Sequence, residues 1–360
     1  MMLTIYTLFN DPNIVNAVIQ RVLQTRKDTI YWQQYLDFRR TTTRVFKDYI
    51  GQVTGVMAGS INSRYGEKPI RERRNIGSGY GEIAYLGDRY QISIDRLSEL
   101  QDLVDKFNAA KTADQVAAMQ DIVNFIYDDY RQVLLAAHKR MDIVVGSLLM
   151  TGKAQVKNKD DNAGGIDLLD IELPFKFITP EAGAKTNFIT YLQTTINELK
   201  AVYGTFPKMI MSRSTFVKNI IGSSEFGEKF KMQLTGNEMY MSTGLITSQL
   251  ASSVFTGIGL PAIEIKEDYV LDQSGKNVQI YADNRITLLP QDKIGYMRFH
   301  TPYEAVDGVP GRNYSQADGD MLISGYKDGN GRYLEYTAEW IPQIANPNQI
   351  VNIDLTTMNA

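Results

Sequence analysis

The chain has 360 residues, of which 43% are hydrophobic and 22% charged, and its formal net charge is -3 at pH 7. Those proportions fit a globular chain of one large or two to three smaller domains; they exclude a disordered chain and one drawn to nucleic acid by bulk charge. Cysteine is absent, which removes disulfides, thiolate catalysis and cysteine-held zinc or iron–sulfur centres and suits a reducing cytoplasm.

The start, MMLTIYTLFNDPNIV, has no basic stretch before an apolar run, so no signal peptide is expected. No window approaches the ~18 uncharged apolar residues of a membrane-spanning helix, so no membrane partner is expected. Residues 10–25 place Ile14, Val15, Val18, Ile19 and Val22 at helical spacing behind Asp11-Pro12, which predicts a short amphipathic helix.

Residues 30–95 are rich in Arg, Thr, Gly and Tyr and read as core-poor, with strand-like pieces at 44–50, 52–57, 82–86 and 90–94. Between Asp37 and Arg74 nine basic residues (Arg39, Arg40, Arg44, Lys47, Arg64, Lys68, Arg71, Arg73, Arg74) face four acidic ones (Asp37, Asp48, Glu67, Glu72). A basic segment on an otherwise acidic chain suits pairing with another copy of that chain, and equally a solvated loop. Tyr65 and Tyr80 beside the arginines of 71–74 would suit single-stranded nucleic acid, but two acids lie nearby and no nucleic-acid-binding signature surrounds them. Intersubunit pairing is the better reading of Arg39, Arg40, Arg44, Arg64, Lys68, Arg71, Arg73 and Arg74.

The strongest helical signal covers 113–150, where Val116, Met119, Ile122, Ile126, Tyr130, Val133, Ala137, Met141, Val144 and Leu148 recur every three or four residues. Thr112 with Gln115 predicts a capping box, and Gly152 a stop. Such a helix would be about 57 Å long against a mean of about 11–12 residues, a length that favours plates and bundled assemblies.

A polar loop is expected at 157–165 and a second helix at 187–203 ending at Gly204. A buried strand follows at 208–211, then a helix around Phe216 and Ile220 capped by Ser212 or Ser214, and another helix at 225–234. From Val254 the pattern is mostly β. It includes a hairpin turning at Asp272-Gln273-Ser274-Gly275 and a strand ending at Leu288-Leu289-Pro290. Loops follow at 307–319, then a turn at 327–331 between two strands and a last strand at 350–355.

No constellation announces catalysis. Gly77-Ser-Gly79-Tyr-Gly81 lacks the following helix that a phosphate loop needs and reads as a flexible hairpin tip. The adjacent acids Asp128-Asp129, Asp160-Asp161 and Glu267-Asp268 point to different faces, a poor geometry for a carboxylate dyad. His138 and His300 lie far apart and read as structural or surface residues. No catalytic residue, metal site or cofactor is assigned, and an enzyme is not expected.

Several stretches carry a resemblance in their shared order. These are Leu148-Leu149-Met150-Thr151-Gly152-Lys153 at the end of the long helix, the strand opening at Gly259-Leu260-Pro261, the Asp272–Gly275 turn, the segment Ile286–Gly295, and the ending Ile341-Pro342-Gln343-Ile344-Ala345-Asn346-Pro347-Asn348. Together they resemble the lambda-like major capsid proteins of tailed phages. The resemblance implies an α+β Hong Kong 97-type capsid fold, with a long spine helix, an extended β-hairpin E-loop, and peripheral (P) and axial (A) domains. It divides the chain into an N-terminal arm (1–39), the E-loop region (40–95), the P-domain with the spine helix (96–180), the A-domain (181–280), and a return to the P-domain sheet with the C-terminal segment (281–360).

It also implies a structural protein that self-assembles, in hexamers and pentamers, into the icosahedral head enclosing double-stranded DNA. The partners would be further copies, a separate scaffold, a portal and decoration proteins, with the DNA held non-specifically. The location would be the virion, and the host cytoplasm during assembly. Lys68 is the E-loop lysine by position, but no cross-linking partner matches it. The alternatives are an encapsulin-like nanocompartment shell and, from another class, a nucleotide-dependent enzyme using Gly77–Gly81.

Overall fold

The strand Gly331–Ile344 explains its own position by its alternation. Leu334, Tyr336, Ala338 and Trp340 fall on one face and are each at most 3% exposed. In the computed structural model, which describes residues 2–25, 29–50, 77–157, 167–223, 225–226, 247–271, 275–329 and 331–359, this strand organises a six-stranded sheet. One edge pairs antiparallel with Leu322–Asp328, from Leu322↔Thr337 to Asp328↔Gly331. Another edge takes Ala84–Ile92, from Arg332↔Ile92 to Trp340↔Ala84. Gly295–His300 also pairs with it and carries Leu36–Arg40 beyond, while Tyr314–Gln316 borders Leu322–Asp328.

The chain divides into two compact units. The first is drawn from residues up to Phe46, from Glu82–Asp142 and from Tyr296–Gln343. The second holds Ile143–Gly295, the chain from Ile344 onward and the described residues of 47–81. Both interleave distant stretches, and the changes at 142/143 and 295/296 do not coincide with the segment limits drawn at 95, 180 and 280.

In the first unit the N-terminal residues depart from expectation. They do not project as an arm: Thr4 caps the helix Ile5–Asn10, whose Leu8 and Phe9 are buried, and the helix Pro12–Thr25 buries Val15, Val18, Ile19 and Val22. Nor is 30–40 core-poor. Trp32 stacks on His138 at 5.8 Å, and Phe38 and Trp340 close the cluster edge-on at 5.1 Å. The Trp32 backbone N–H donates to the buried Asp142 carboxylate at 2.9 Å. The expectation failed because the core here is aromatic and drawn from three distant stretches, so no local aliphatic run advertised it. The pieces expected at 82–86 and 90–94 form one strand, and the helix Ile94–Ala109, capped by Ser93 and burying Leu100 and Val104, follows at once.

The long helix is Thr112–Thr151, 40 residues or about 60 Å. Ile122, Ile126, Tyr130, Val133, Ala137, Met141, Val144 and Leu148 are all buried, as their spacing requires, whereas Val116 is 78% exposed. The helix does not start from Thr112 as its cap: the Gln115 N–H donates to the Lys111 carbonyl at 3.1 Å, so the helix is entered one residue before Thr112. The stop is as expected, at Gly152 with φ +68.

The second unit is built on a five-stranded sheet. Its order is Lys176–Ile178, Val351–Asp354, Arg285–Leu289, Lys208–Ser212, Ala262–Lys266. The middle strand is antiparallel to both neighbours, and the outer strand on each side runs parallel to the strand it borders. Ile286–Leu289 and Met209–Ser212 are continuously buried, the mark of strands covered on both faces. The helices Phe188–Tyr203 and Ser248–Gly257 supply Leu192, Ile196, Val254 and Phe255 to one face. The second of these helices was not expected, since β structure was read from Val254. On the other face the Thr287 hydroxyl lies 2.8 Å from the Leu149 carbonyl oxygen, 2.6 Å from Asn352 Oδ1 and 2.6 Å from Tyr281 Oη. Ser212 caps the helical turns Arg213–Phe216 and Val217–Ile221 as expected. Of the helix expected at 225–234, only Glu225 and Phe226 are described, and the turn residues 272–274 also lie outside the described residues.

A separate two-stranded sheet joins Val45–Ile50 to Gly77–Glu82. Gly77–Gly81 is therefore strand rather than a hairpin tip, and strand rather than helix follows it.

Candidate interface at the basic segment

The candidate residues divide by position. Arg64, Lys68, Arg71, Arg73 and Arg74 lie outside the described residues, as do 52–57 and the pair Asp160-Asp161. Arg39, Arg40 and Arg44 are held by their own chain. The Arg39 guanidinium lies 4.7 Å from the Tyr296 ring centroid. Arg40 Nη2 donates to Thr301 Oγ1 at 2.8 Å, and its Nε is 3.4 Å from Asp320 Oδ2. Arg44 forks onto Glu339, Nη2 to Oε1 at 2.6 Å and Nε to Oε2 at 3.0 Å. That hydrogen bond, and then the Glu339 charge, hold the Arg44 guanidinium pKa above its ordinary value.

Glu339, 3% exposed, and His300, whose Nδ1 lies 2.9 Å from Glu339 Oε2, were not singled out as partners of the basic segment. The two ends of the Arg44–Glu339 pair are 295 residues apart, beyond the reach of any local pattern.

The remaining polar clusters are structural. Asp129 accepts from Arg96 Nε at 2.8 Å, while burial raises its pKa. Glu267 pairs with Arg213. His138 is fully buried among the aromatic rings. A surface groove of about 540 Å³ is lined by Glu304, Arg312 and Tyr314 with loop glycines, and its lining holds no nucleophile beside a base. Among the described residues no group of three or more His, Asp or Glu side chains is placed to hold a metal ion. No described helix is long and apolar enough to cross a membrane. Tyr85, Tyr303, Val306 and Val309, between 47% and 85% exposed, leave apolar surface on and beside the loop 302–313.

Solved structures match the chain along nearly its whole length. A protein described as a prophage capsid protein, from Escherichia coli CFT073, superposes with a TM-score of 0.58 at 13% identity, covering 96% of this chain and 98% of that one. The fold is the Hong Kong 97-type capsid fold. A phage-related protein from Bordetella bronchiseptica RB50 gives a TM-score of 0.50 at 9% identity, again over 96% of this chain and 98% of the other. No family model and no curated protein matches the sequence. At these identities the likeness concerns architecture. Thr112–Thr151 is the long helix expected from the stripe at 113–150, and Val45–Ile50 with Gly77–Glu82 is a strand pair inside the region expected at 40–95.

Proposed function

We propose that the chain is the major head protein of a tailed phage, a subunit that assembles with copies of itself into the hexamers and pentamers of an icosahedral shell around double-stranded DNA. The observation that carries this reading is the capsid fold, held over 96% of the chain. The role is structural, not catalytic. The first compact unit serves as the peripheral domain and the second as the axial domain, each taking in interleaved stretches of chain.

The packing of Leu8, Phe9, Val18, Val22, Trp32 and Leu36 within their own subunit narrows where neighbouring copies meet. Arg64, Lys68, Arg71, Arg73 and Arg74 are assigned to contacts with a neighbour, while Arg39, Arg40 and Arg44 serve first in their own subunit. An opposite-charge contact of this kind gives register and association rate more than affinity. Scaffold, portal and decoration proteins would be separate chains, and the subunit would pass from the host cytoplasm into the virion.

Expression of the chain alone and with its genomic neighbours, followed by negative-stain microscopy, tests the reading. Closed shells or capsomer rings are the expected result. A persistently monodisperse monomer under both conditions would overturn it. Shells that enclose a co-purifying enzyme instead of DNA would favour the nanocompartment alternative.

A further inference from the structure

Glu339 faces away from the aromatic core, yet only 3% of it is exposed. A carboxylate taken out of water requires donors for its lone pairs. Three donors converge on it: Arg44 Nη2 at 2.6 Å, Arg44 Nε at 3.0 Å and His300 Nδ1 at 2.9 Å.

Arg44 holds a second connection through its backbone. It immediately precedes the strand Val45–Ile50, and its carbonyl accepts the N–H of Ile83 at 3.0 Å. Ile83 immediately follows the strand Gly77–Glu82 and is 7% exposed. The start of one strand and the end of the other are thus joined by the backbone of one residue, Arg44, whose side chain grips the six-stranded sheet. Two residues past Ile83, Tyr85 is the cross-strand partner of Glu339 itself. Arg40, with Thr301 and Asp320, forms a parallel fastening four residues earlier.

Two features separate this arrangement from an ordinary surface ion pair. One partner is buried, so an open pair leaves an uncompensated carboxylate in the sheet. The contact is also a fork, a geometry lysine does not reproduce.

We propose that the Arg44–Glu339 pair, steadied by His300, is a clasp that fixes the root of the paired strands Val45–Ile50 and Gly77–Glu82, and that opening it frees those strands while the six-stranded sheet stays folded. The clasp is a property of the single subunit and does not depend on the shell reading.

Amide hydrogen exchange on the full-length chain tests it, comparing Arg44→Gln, Arg44→Lys and Glu339→Gln with the parent. In Arg44→Gln the amides of 45–50 and 77–83 should exchange about tenfold faster or more, a magnitude set by losing a hydrogen bond to a charged group, with Leu322–Asp328 left unchanged. Arg44→Lys, which keeps the charge and loses the fork, should accelerate the same amides. Unchanged exchange at the root in either Arg44 variant would overturn the proposal, as would equal acceleration in Leu322–Asp328. Should Glu339→Gln fail to fold, Arg44→Lys decides alone, since it leaves the carboxylate opposite a cation.

Discussion

Gly146 lies against Ile280 so closely that a Cβ built on it would stand 2.5 Å from the Ile280 carbonyl oxygen and 2.6 Å from its Cγ2. A glycine inside a helix costs about 1 kcal/mol relative to alanine, so its use at this point of the long helix is explained by space. Gly146→Ala should lose more by overpacking, about 1–3 kcal/mol, than it gains in helix propensity. The expected outcome is a lower urea midpoint for the second unit. An unchanged or raised midpoint would mean that Ile280 yields without cost.

Gly319 and Gly204 both have positive φ, +64 and +86, but their surroundings differ. A Cβ on Gly204 meets nothing within 4 Å, whereas on Gly319 it would stand 2.5 Å from Phe38 and 2.8 Å from Trp340 Nε1. Gly204→Ala should cost about 1–3 kcal/mol of backbone strain, since φ +86 with ψ -167 is a conformation populated essentially by glycine. Gly319→Ala adds a clash inside the aromatic cluster and strains the 2.8 Å hydrogen bond from Trp340 Nε1 to the Gly319 carbonyl. Both tryptophans, Trp32 and Trp340, belong to that cluster. Fluorescence and near-ultraviolet dichroism should therefore change for Gly319→Ala and stay constant for Gly204→Ala.

The Thr287 hydroxyl, fully buried, ties the middle strand of the five-stranded sheet to the last turn of the long helix. Thr287→Val keeps the shape and strips the hydrogen bonds from Leu149, Asn352 and Tyr281, a loss of about 1–3 kcal/mol. Thr287→Ser keeps the hydroxyl and gives up one methyl, about 1 kcal/mol. Denaturant unfolding should rank the chains parent, Ser variant, Val variant, and the reverse order of the two variants would deny the hydroxyl its role.

The tyrosines predict how the fold meets alkali. Burial and then the Glu335 hydrogen bond push the Tyr326 phenol up to about 12, and burial raises Tyr130, Tyr281 and Tyr336 as well. In the unfolded chain a phenol titrates near about 10. Between these values the folded state holds protons that the unfolded state has lost, so this contribution is complete below about pH 10 and disappears as pH rises through the native values. Phenolate absorbance and far-ultraviolet dichroism, followed together, should show a group of tyrosines ionising in step with unfolding. Titration of all 21 tyrosines near 10 with the dichroism intact would contradict this.

How far the sequence could be read depended on whether a contact was local. The stripe from Ile122 to Leu148 was legible because one helix face repeats it, and Gly152 marked its end correctly. Ile94–Ala109 went unread although Ser93 caps it, because its first turn follows a strand without a break and only Leu100 and Val104 are fully buried. Ser248–Gly257 is rich in serine and threonine, weak helix formers; the burial of Ala251, Val254 and Phe255 supports it, and that burial is tertiary. The arm expected at the N-terminus illustrates the same limit. Phe9 is placed by Gly325, whose added Cβ would come within 3.1 Å of it, a partner more than three hundred residues away. At the candidate site the basic run itself was legible, but Asp320 and Glu339, which pair with Arg40 and Arg44, and His300 beside Glu339, were not.

The strand Gly331–Ile344 borders Leu322–Asp328, Ala84–Ile92 and Gly295–His300 at once, and it is made after all three. On the ribosome, then, the residues that line the aromatic interior and the helices Ile5–Asn10 and Pro12–Thr25 wait without their central strand until Gly331–Ile344 has been made. Premature termination anywhere before that strand leaves a product with unpaired sheet edges and uncovered aromatic surface, the kind of species that aggregates or is degraded. A truncation that removes Gly331–Ile344 thereby costs the first unit its organising element rather than a dispensable tail.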